Sequence, residues 1–180
     1  SSSVHVGAGN YRPTFEDFQQ RFQHAFSPWI MSQKLGNASK KLFRFHALDA
    51  GSAGHGQFKI SIVNVAKSTD RSSDYGTFDV QIRDANDTDL KPIILQTFSG
   101  LNLNPSSDRY IGRVIGDQNV RYNFDVAANA QKIVVEGSHP VRSRYIRVEI
   151  SQEVKDGSID DGLLPFGFRG HNHLVTSGSL

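Results

Sequence analysis

In 180 residues the chain carries 20 Lys and Arg against 18 Asp and Glu, a formal net charge of +2, and no cysteine. So even a balance is not that of an electrostatic nucleic-acid binder, and the missing thiols exclude a disulfide framework, thiol catalysis and every cysteine-based zinc site. Apolar residues make up 37% of the chain. At this length ~70% of the unfolded surface can be buried around one core without any staple, and no run approaches the ~20 apolar residues of a membrane-spanning helix. The opening Ser1–His5 lacks the pattern of a signal peptide, so a soluble chain is expected.

Residues 1–12 are rich in Ser and Gly and have no period, which predicts a flexible or extended arm. Next comes the strongest helical pattern in the chain. Phe15, Phe18, Phe22, Ala25 and Phe26 recur at spacings of three and four, placing them on one stripe of a helix over 14–26. Thr14 is its expected cap, with Asp17 three residues on, and Ser27-Pro28 is its expected stop. Such a stripe is core packing rather than a ligand box. After Pro28 the pattern becomes that of strands. Leu42–Ala47 is aromatic-rich but alternates poorly, whereas Phe58–Val65 alternates through Phe58, Ile60 and Ile62. Polar residues 67–74 read as an exposed hairpin loop, leading into Tyr75–Arg83 with Phe78, Val80 and Ile82 inward and Asp79, Gln81 and Arg83 outward. Ser106–Asp108 are expected to cap a short helix over Tyr110–Ile115. Lys132–Glu136 and Tyr145–Ile150 are further strands, with Ile146, Val148 and Ile150 on one face. The predicted fold class is α+β: a mostly antiparallel β-sheet domain over 13–170 with two or three helices packed on it. A flexible tail follows at 171–180. There is neither a βαβ rhythm nor an internal repeat.

Few residues invite chemistry. Asp84–Asp89 is acidic enough for calcium, but counted from Asp84 the EF-hand's Gly and Glu positions are Asp89 and Leu95, so the spacing fails and an Asx-capped turn is expected. Asp160-Asp161-Gly162 reads the same way. His171 and His173 share a face if extended, with His139, His46 or His55 as a conceivable third ligand, yet no spacing joins them and tail histidines are the preferred reading. Gly54-His55-Gly56 lacks the Gly-Lys-Ser/Thr ending of a phosphate loop. Arg142, Arg144 and Arg147 do not share one strand parity and have Glu136, Glu149 and Glu153 nearby, so a solvated face or ion pairs to a neighbouring subunit are expected rather than a phosphate track. No Gly-x-Ser-x-Gly elbow selects a nucleophile. The sequence therefore predicts no catalytic, cofactor or metal residue and no enzyme activity.

Several runs stand in a fixed order. Tyr75–Val80, Arg83-Asp84, Asp87–Asp89 and Lys91-Pro92 are followed by Phe98, Leu101–Pro105, Tyr110-Ile111 and Val114–Asp117. Ser27–Ile30, Ser32-Gln33 and Leu42–Leu48 lie upstream, with Ser143–Glu149 and Leu164–Gly170 downstream. Together, in this order, they resemble the tail sheath proteins of contractile-tailed bacteriophages, and the resemblance spans roughly residues 14–172. It departs at Asn104, where such sheaths usually have Asp before the Pro, and in the divergent stretch 118–140. Sheath subunits are much longer than this chain, so the resemblance implies one middle or outer domain of the subunit. It implies a structural virion protein, made in the host cytoplasm, whose partners are other sheath subunits in stacked sixfold rings of a helical assembly, the tail tube and the baseplate. Contraction of that assembly drives the tube through the host envelope for genome ejection, as a bistable interface released cooperatively. It implies no cofactor, nucleic acid or membrane insertion, and a monomer at micromolar concentration for this segment by itself. The rival reading is a surface-exposed binding module for a carbohydrate or host-surface ligand, with Trp29 and the tyrosines stacking on sugar.

Overall fold

Strands dominate the computed structural model, which describes residues 24–33, 38–50, 56–123, 127, 129–168 and 170. In chain order the elements are β1 (His24–Phe26), β2 (Ile30–Met31), β3 (Lys41–Ala50), β4 (Phe58–Ala66), β5 (Thr77–Asp84), β6 (Ile94–Leu101), α1 (Ile111–Ile115), β7 (Asn119–Asn123), β8 (Lys132–Glu136), β9 (Ile146–Ile150) and α2 (Gln152–Lys155). All strand pairings are antiparallel. One sheet is centred on β3, which pairs with β1, β2 and β9; a second has the order β4-β5-β6; β7 and β8 form a separate ribbon.

The poor alternation of Leu42–Ala47 has a physical reason. β3 is central in its sheet, and Leu42, Phe43, Phe45, His46 and Ala47 are all buried, so both of its faces are covered. Its register with β9 sets Phe43 opposite Ile150, Phe45 opposite Val148 and Ala47 opposite Ile146. That face shares one core with Ile62 of β4, Phe78, Val80 and Ile82 of β5, and Leu101 of β6. The rings of Phe43 and Phe78 stack across the two sheets, centroids 5.6 Å apart and 10° from parallel. Burying each such ring fully is worth ~1.5–3 kcal/mol. Ile111 and Ile115 of α1 and Val154 of α2 complete the core.

Residues 164–168 strap the sheets together. Phe166 N–H donates to the Met31 carbonyl at β2 (3.1 Å), Gln33 N–H to the Leu164 carbonyl (2.7 Å), and Phe168 and Ile62 of β4 exchange backbone hydrogen bonds. Gly76 sits under this strap, where a Cβ would collide with the Ala66 carbonyl and the Leu164 side chain.

Two expectations need correction here. The helix predicted over 14–26 does not extend to its stated end: residues 14–23 lie outside the described ones, but His24–Phe26 are strand β1, with His24 opposite Ala50 and Phe26 opposite His46. Phe26 is 60% exposed rather than core. Ser27 continues the edge instead of stopping a helix, since its N–H donates to the Phe45 carbonyl (2.8 Å) and its Oγ accepts from Phe45 N–H (3.0 Å). Backbone pairing along β3 overrides the local helical period. The second correction is at α1. The helix forms, but Ser107 Oγ does not cap it; that oxygen accepts from Arg109 N–H (3.0 Å) in the preceding turn, and Tyr110 at the helix start makes no side-chain cap. Among the described residues the two helices are short, and none is long and apolar enough to cross a membrane.

Candidate functional site

Arg83 points away from the apolar core, as the alternation of β5 requires, yet it is not in water. Its Nε and Nη2 donate to the two carboxylate oxygens of Asp87, each at 2.7 Å, and its Nη1 donates to Asp89 (2.9 Å). Lys59 from β4 reaches the same place, with Nζ 2.6 Å from Asp87 Oδ1 and donating to the Asp87 carbonyl (2.8 Å). Ile93 N–H donates to Asp87 Oδ2 (2.8 Å). Asp87 is fully buried, and burial pushes its carboxyl up; the hydrogen bonds from Arg83, Lys59 and Ile93 outweigh this and hold it well below the usual carboxylate range. The acidic loop is therefore a clip that closes the β5–β6 connection over the outer face of the sheet. Asn86 N–H donates to Asp84 Oδ1 (2.8 Å), the Asx turn expected there. Periodicity pointed Arg83 outward correctly; the i, i+4 pairing of Arg83 with Asp87 was the available signal that its charge would be covered.

A second polar cluster lies on the outer face of the β3–β9 sheet. Arg44 Nε donates to Glu149 Oε2 (2.7 Å), and His46 Nε2 lies 2.6 Å from that oxygen. His46 Nδ1 is 2.8 Å from His24 Nε2. One tautomer set satisfies all three: His24 Nε2–H donates to His46 Nδ1, and His46 Nε2–H donates to Glu149. Burial lowers the His46 pKa to about 4, against the raising effect of the Glu149 hydrogen bond, and the Arg147 charge lowers it further. Burial also works against ionisation of Glu149, but the hydrogen bonds from Arg44 and His46 more than offset it and its pKa is lowered. The guanidinium of Arg44 then stacks over Trp29 (4.8 Å to the ring centroid) and Phe26 (5.2 Å). This is a neutral-histidine network that orients Arg44 and Glu149. Glu149 also borders the open groove beside Trp29, and His24 a smaller one beside Val120.

The other residues singled out in the sequence do not converge. Arg142 and Arg144 are exposed ahead of β9, while Arg147 is buried in it. His139 packs edge-on to Tyr110 (5.9 Å), with Nδ1 3.5 Å from Asp117 Oδ1, and His46 is engaged as above. His55, His171 and His173 lie outside the described residues. Among the described residues no group of three His, Cys, Asp or Glu could hold a metal ion. Asp160 Oδ1 accepts from Gly162 N–H (2.8 Å), again a turn. Trp29 borders an open groove of about 660 Å³ with Lys40, Lys41, Glu153 and Lys155.

What stands out instead is exposed apolar surface. β6 is an edge strand; Ile94 and Leu95 at its start and Ile93 just before it are each at least 40% exposed, and Leu90 in the preceding loop is fully exposed. The β7–β8 ribbon sets Val120 opposite Val135 and Tyr122 opposite Ile133, so these four side chains share one face. Val120 is 63%, Ile133 65% and Val135 53% exposed. The ribbon was half-legible: Lys132–Glu136 read as a strand, but its partner Asn119–Asn123 did not, because only two of its five residues are apolar. Comparison with known protein families, with curated proteins and with solved structures finds no match for this chain.

Proposed function

We propose that this chain is a structural domain of a contractile tail sheath, acting through subunit contacts rather than through an active site. The observation that carries the reading is the start of edge strand β6 and the loop before it, where Ile94 and Leu95, with Leu90 and Ile93, present apolar side chains to solvent. An edge of this kind is a liability in a free monomer and an asset in a lattice that covers it. The runs that resemble sheath proteins support the same reading. They supply β5, α1 and β9, which meet around one core, together with the Arg83–Asp87 clip on the outer face, the turn before α1 and the 164–168 strap. The departure at Asn104 is chemically mild: its side-chain oxygen accepts from Ser106 N–H (3.0 Å), a role Asp fills equally well. The finer α+β assignment rests on α1, α2 and the helix expected from the phenylalanine stripe.

The test is location in the particle. An antibody raised against this chain, applied as an immunogold label to particles of the virus that encodes it, is expected to decorate the tail shaft along its length. Label confined to fibre tips would favour the carbohydrate or host-surface module, with the Trp29 groove as its site. Label on the capsid, or none on intact or contracted particles, would overturn the sheath reading.

A further inference from the structure

Arg83 and Lys59 are buried cations that close on the Asp87 carboxylate, but Arg147 of β9 is buried without such a cover. It is only 9% exposed, and among the described residues no carboxylate or carbonyl lies within hydrogen-bond distance of its guanidinium. The carboxylates that act on it are engaged elsewhere: Glu149 by Arg44 and His46, and Glu136 of β8 by Arg121 (2.9 Å). Both reach Arg147 only as charges at a distance, while burial works against its ionised form. A guanidinium stays protonated in proteins, and a buried charge without a partner is costly. Its nitrogens are nonetheless not sealed off from solvent space.

Arg147 sits opposite His46 of β3 and lines a cavity of about 350 Å³ with His24, Leu48, Gln118, Val120 and Val141. The base of the β7–β8 ribbon fixes Gln118 there. Asp117 Oδ1 accepts from the N–H groups of Ser138 (2.9 Å) and His139 (2.7 Å), Asp117 and Gln118 N–H both donate to the His139 carbonyl (3.1 and 3.0 Å), and Gly137 turns at φ +98°. The side-chain amide of Gln118 has no partner among the described residues and is free to donate.

We propose that this cavity binds a carboxylate carried on a short aliphatic chain, with the anion on Arg147 and Gln118 and the hydrocarbon against Leu48, Val120 and Val141. A guanidinium presents two parallel donors that match a carboxylate. The charge count favours a single negative charge. Arg44, Arg121 and Arg147 face Glu136 and Glu149 with His24 and His46 neutral, which leaves one cation unmatched. Asp117 and Lys155, lining the adjoining cavity with Arg147, offset each other. A doubly charged phosphate would overshoot. Leu48 and Val120, 41% and 63% exposed, supply an apolar wall, and the volume lies at the small end of ligand sites. The inference stands independently of the sheath reading.

Hexanoate titrated into the isotope-labelled full chain, followed by NMR, tests it. The Arg147 Nε–H and the amides of 118–120 are expected to shift saturably. Hexanol, with the chain but no charge, and inorganic phosphate are each expected to bind at least about tenfold more weakly. Arg147→Gln should lose about tenfold or more in hexanoate affinity. Val120→Glu, a like charge at an exposed position of the wall, should lose as much while the β5 amides keep their shifts, so the test does not depend on Arg147→Gln folding. N-acetylleucine separates the sources of the carboxylate. Binding at least as tight as hexanoate would assign the site to the C-terminus of a peptide, and weaker binding to a free aliphatic acid. Phosphate or hexanol binding as tightly as hexanoate, or no saturable shift, overturns the proposal. So does undiminished binding in folded Val120→Glu.

Discussion

Asp87→Asn removes one negative charge from beneath two buried cations. In the native structure Asp87 accepts two hydrogen bonds from Arg83, contacts Lys59 at 2.6 Å and accepts the Ile93 amide, with the Arg83 and Lys59 side chains only 5% and 6% exposed. The amide cannot accept from all of these donors and carries no charge to offset them. Breaking a buried ion pair from one side costs ~3–5 kcal/mol, and for a domain of this size each kcal/mol moves the thermal midpoint by ~2–4 °C. The expected drop is therefore about 6–20 °C in calorimetry, with a matching fall in the urea midpoint. Replacing the set together, Lys59→Met/Arg83→Leu/Asp87→Leu, should recover part of the loss because no buried charge is left alone. The sign with pH is equally defined. The folded pKa of Asp87 is lowered from 3.8, so its contribution is full above about pH 4 and is lost as the pH falls below that toward the folded value. Wild type should lose stability over that acid range more steeply than Asp87→Asn. A change under ~1 kcal/mol in Asp87→Asn at pH 7, or identical acid profiles, would refute the reasoning.

His46, with a folded pKa of about 4 against 6.5 unfolded, stabilises when neutral, so stability should fall as the pH drops from 6.5 to 4, by up to ~1.4 kcal/mol per pH unit. His46→Gln should flatten that slope in urea melts; an unaltered slope would show that the histidine does not titrate with folding. Gly116 sits at φ +106° with Pro140 and Val141 backbone where a Cβ would be, so Gly116→Ala should destabilise by about 2–4 kcal/mol, and a neutral effect in denaturant melts would contradict that fit. Phe78→Ala, which removes the ring stacked on Phe43, should cost ~3–5 kcal/mol by the same assay. EDTA should leave the melting midpoint unchanged, since Arg83 and Lys59 already hold Asp87 and Asp89; a drop of several degrees reversed by one added metal would reveal an ion site.

Strands with one polar face were legible in advance: Phe78, Val80 and Ile82 alternate with polar residues as a period of two demands, and Ile146, Val148 and Ile150 do likewise. β3 was harder to read because a strand covered on both faces has no alternation to display. The end of the phenylalanine stripe misled, since three residues, His24–Phe26, satisfy a helical spacing and a strand pairing equally well, and only β3 decides between them. At the clip, the sequence shows Arg83 and Asp87 four apart but cannot reveal that Lys59 arrives from another strand. The Glu149–His46–His24 chain was invisible for the same reason: its members lie 22 and 103 positions apart.

The way Asp117, Gly137 and His139 close the base of the ribbon has an engineering consequence. Asp117 Oδ1 accepts from the N–H groups of Ser138 and His139, and the Asp117 and Gln118 N–H groups donate to the His139 carbonyl, so strands 119–123 and 132–136 join the fold through one pinned base. Substitution and insertion are tolerated where the altered backbone is exposed and its hydrogen bonds close locally. An epitope, fluorophore-binding peptide or foreign hairpin grafted between Gln118 and Gly137 would be displayed from a fixed pedestal while β3, β5 and β9 keep their register. The same geometry lets length and surface vary there without renegotiating the core.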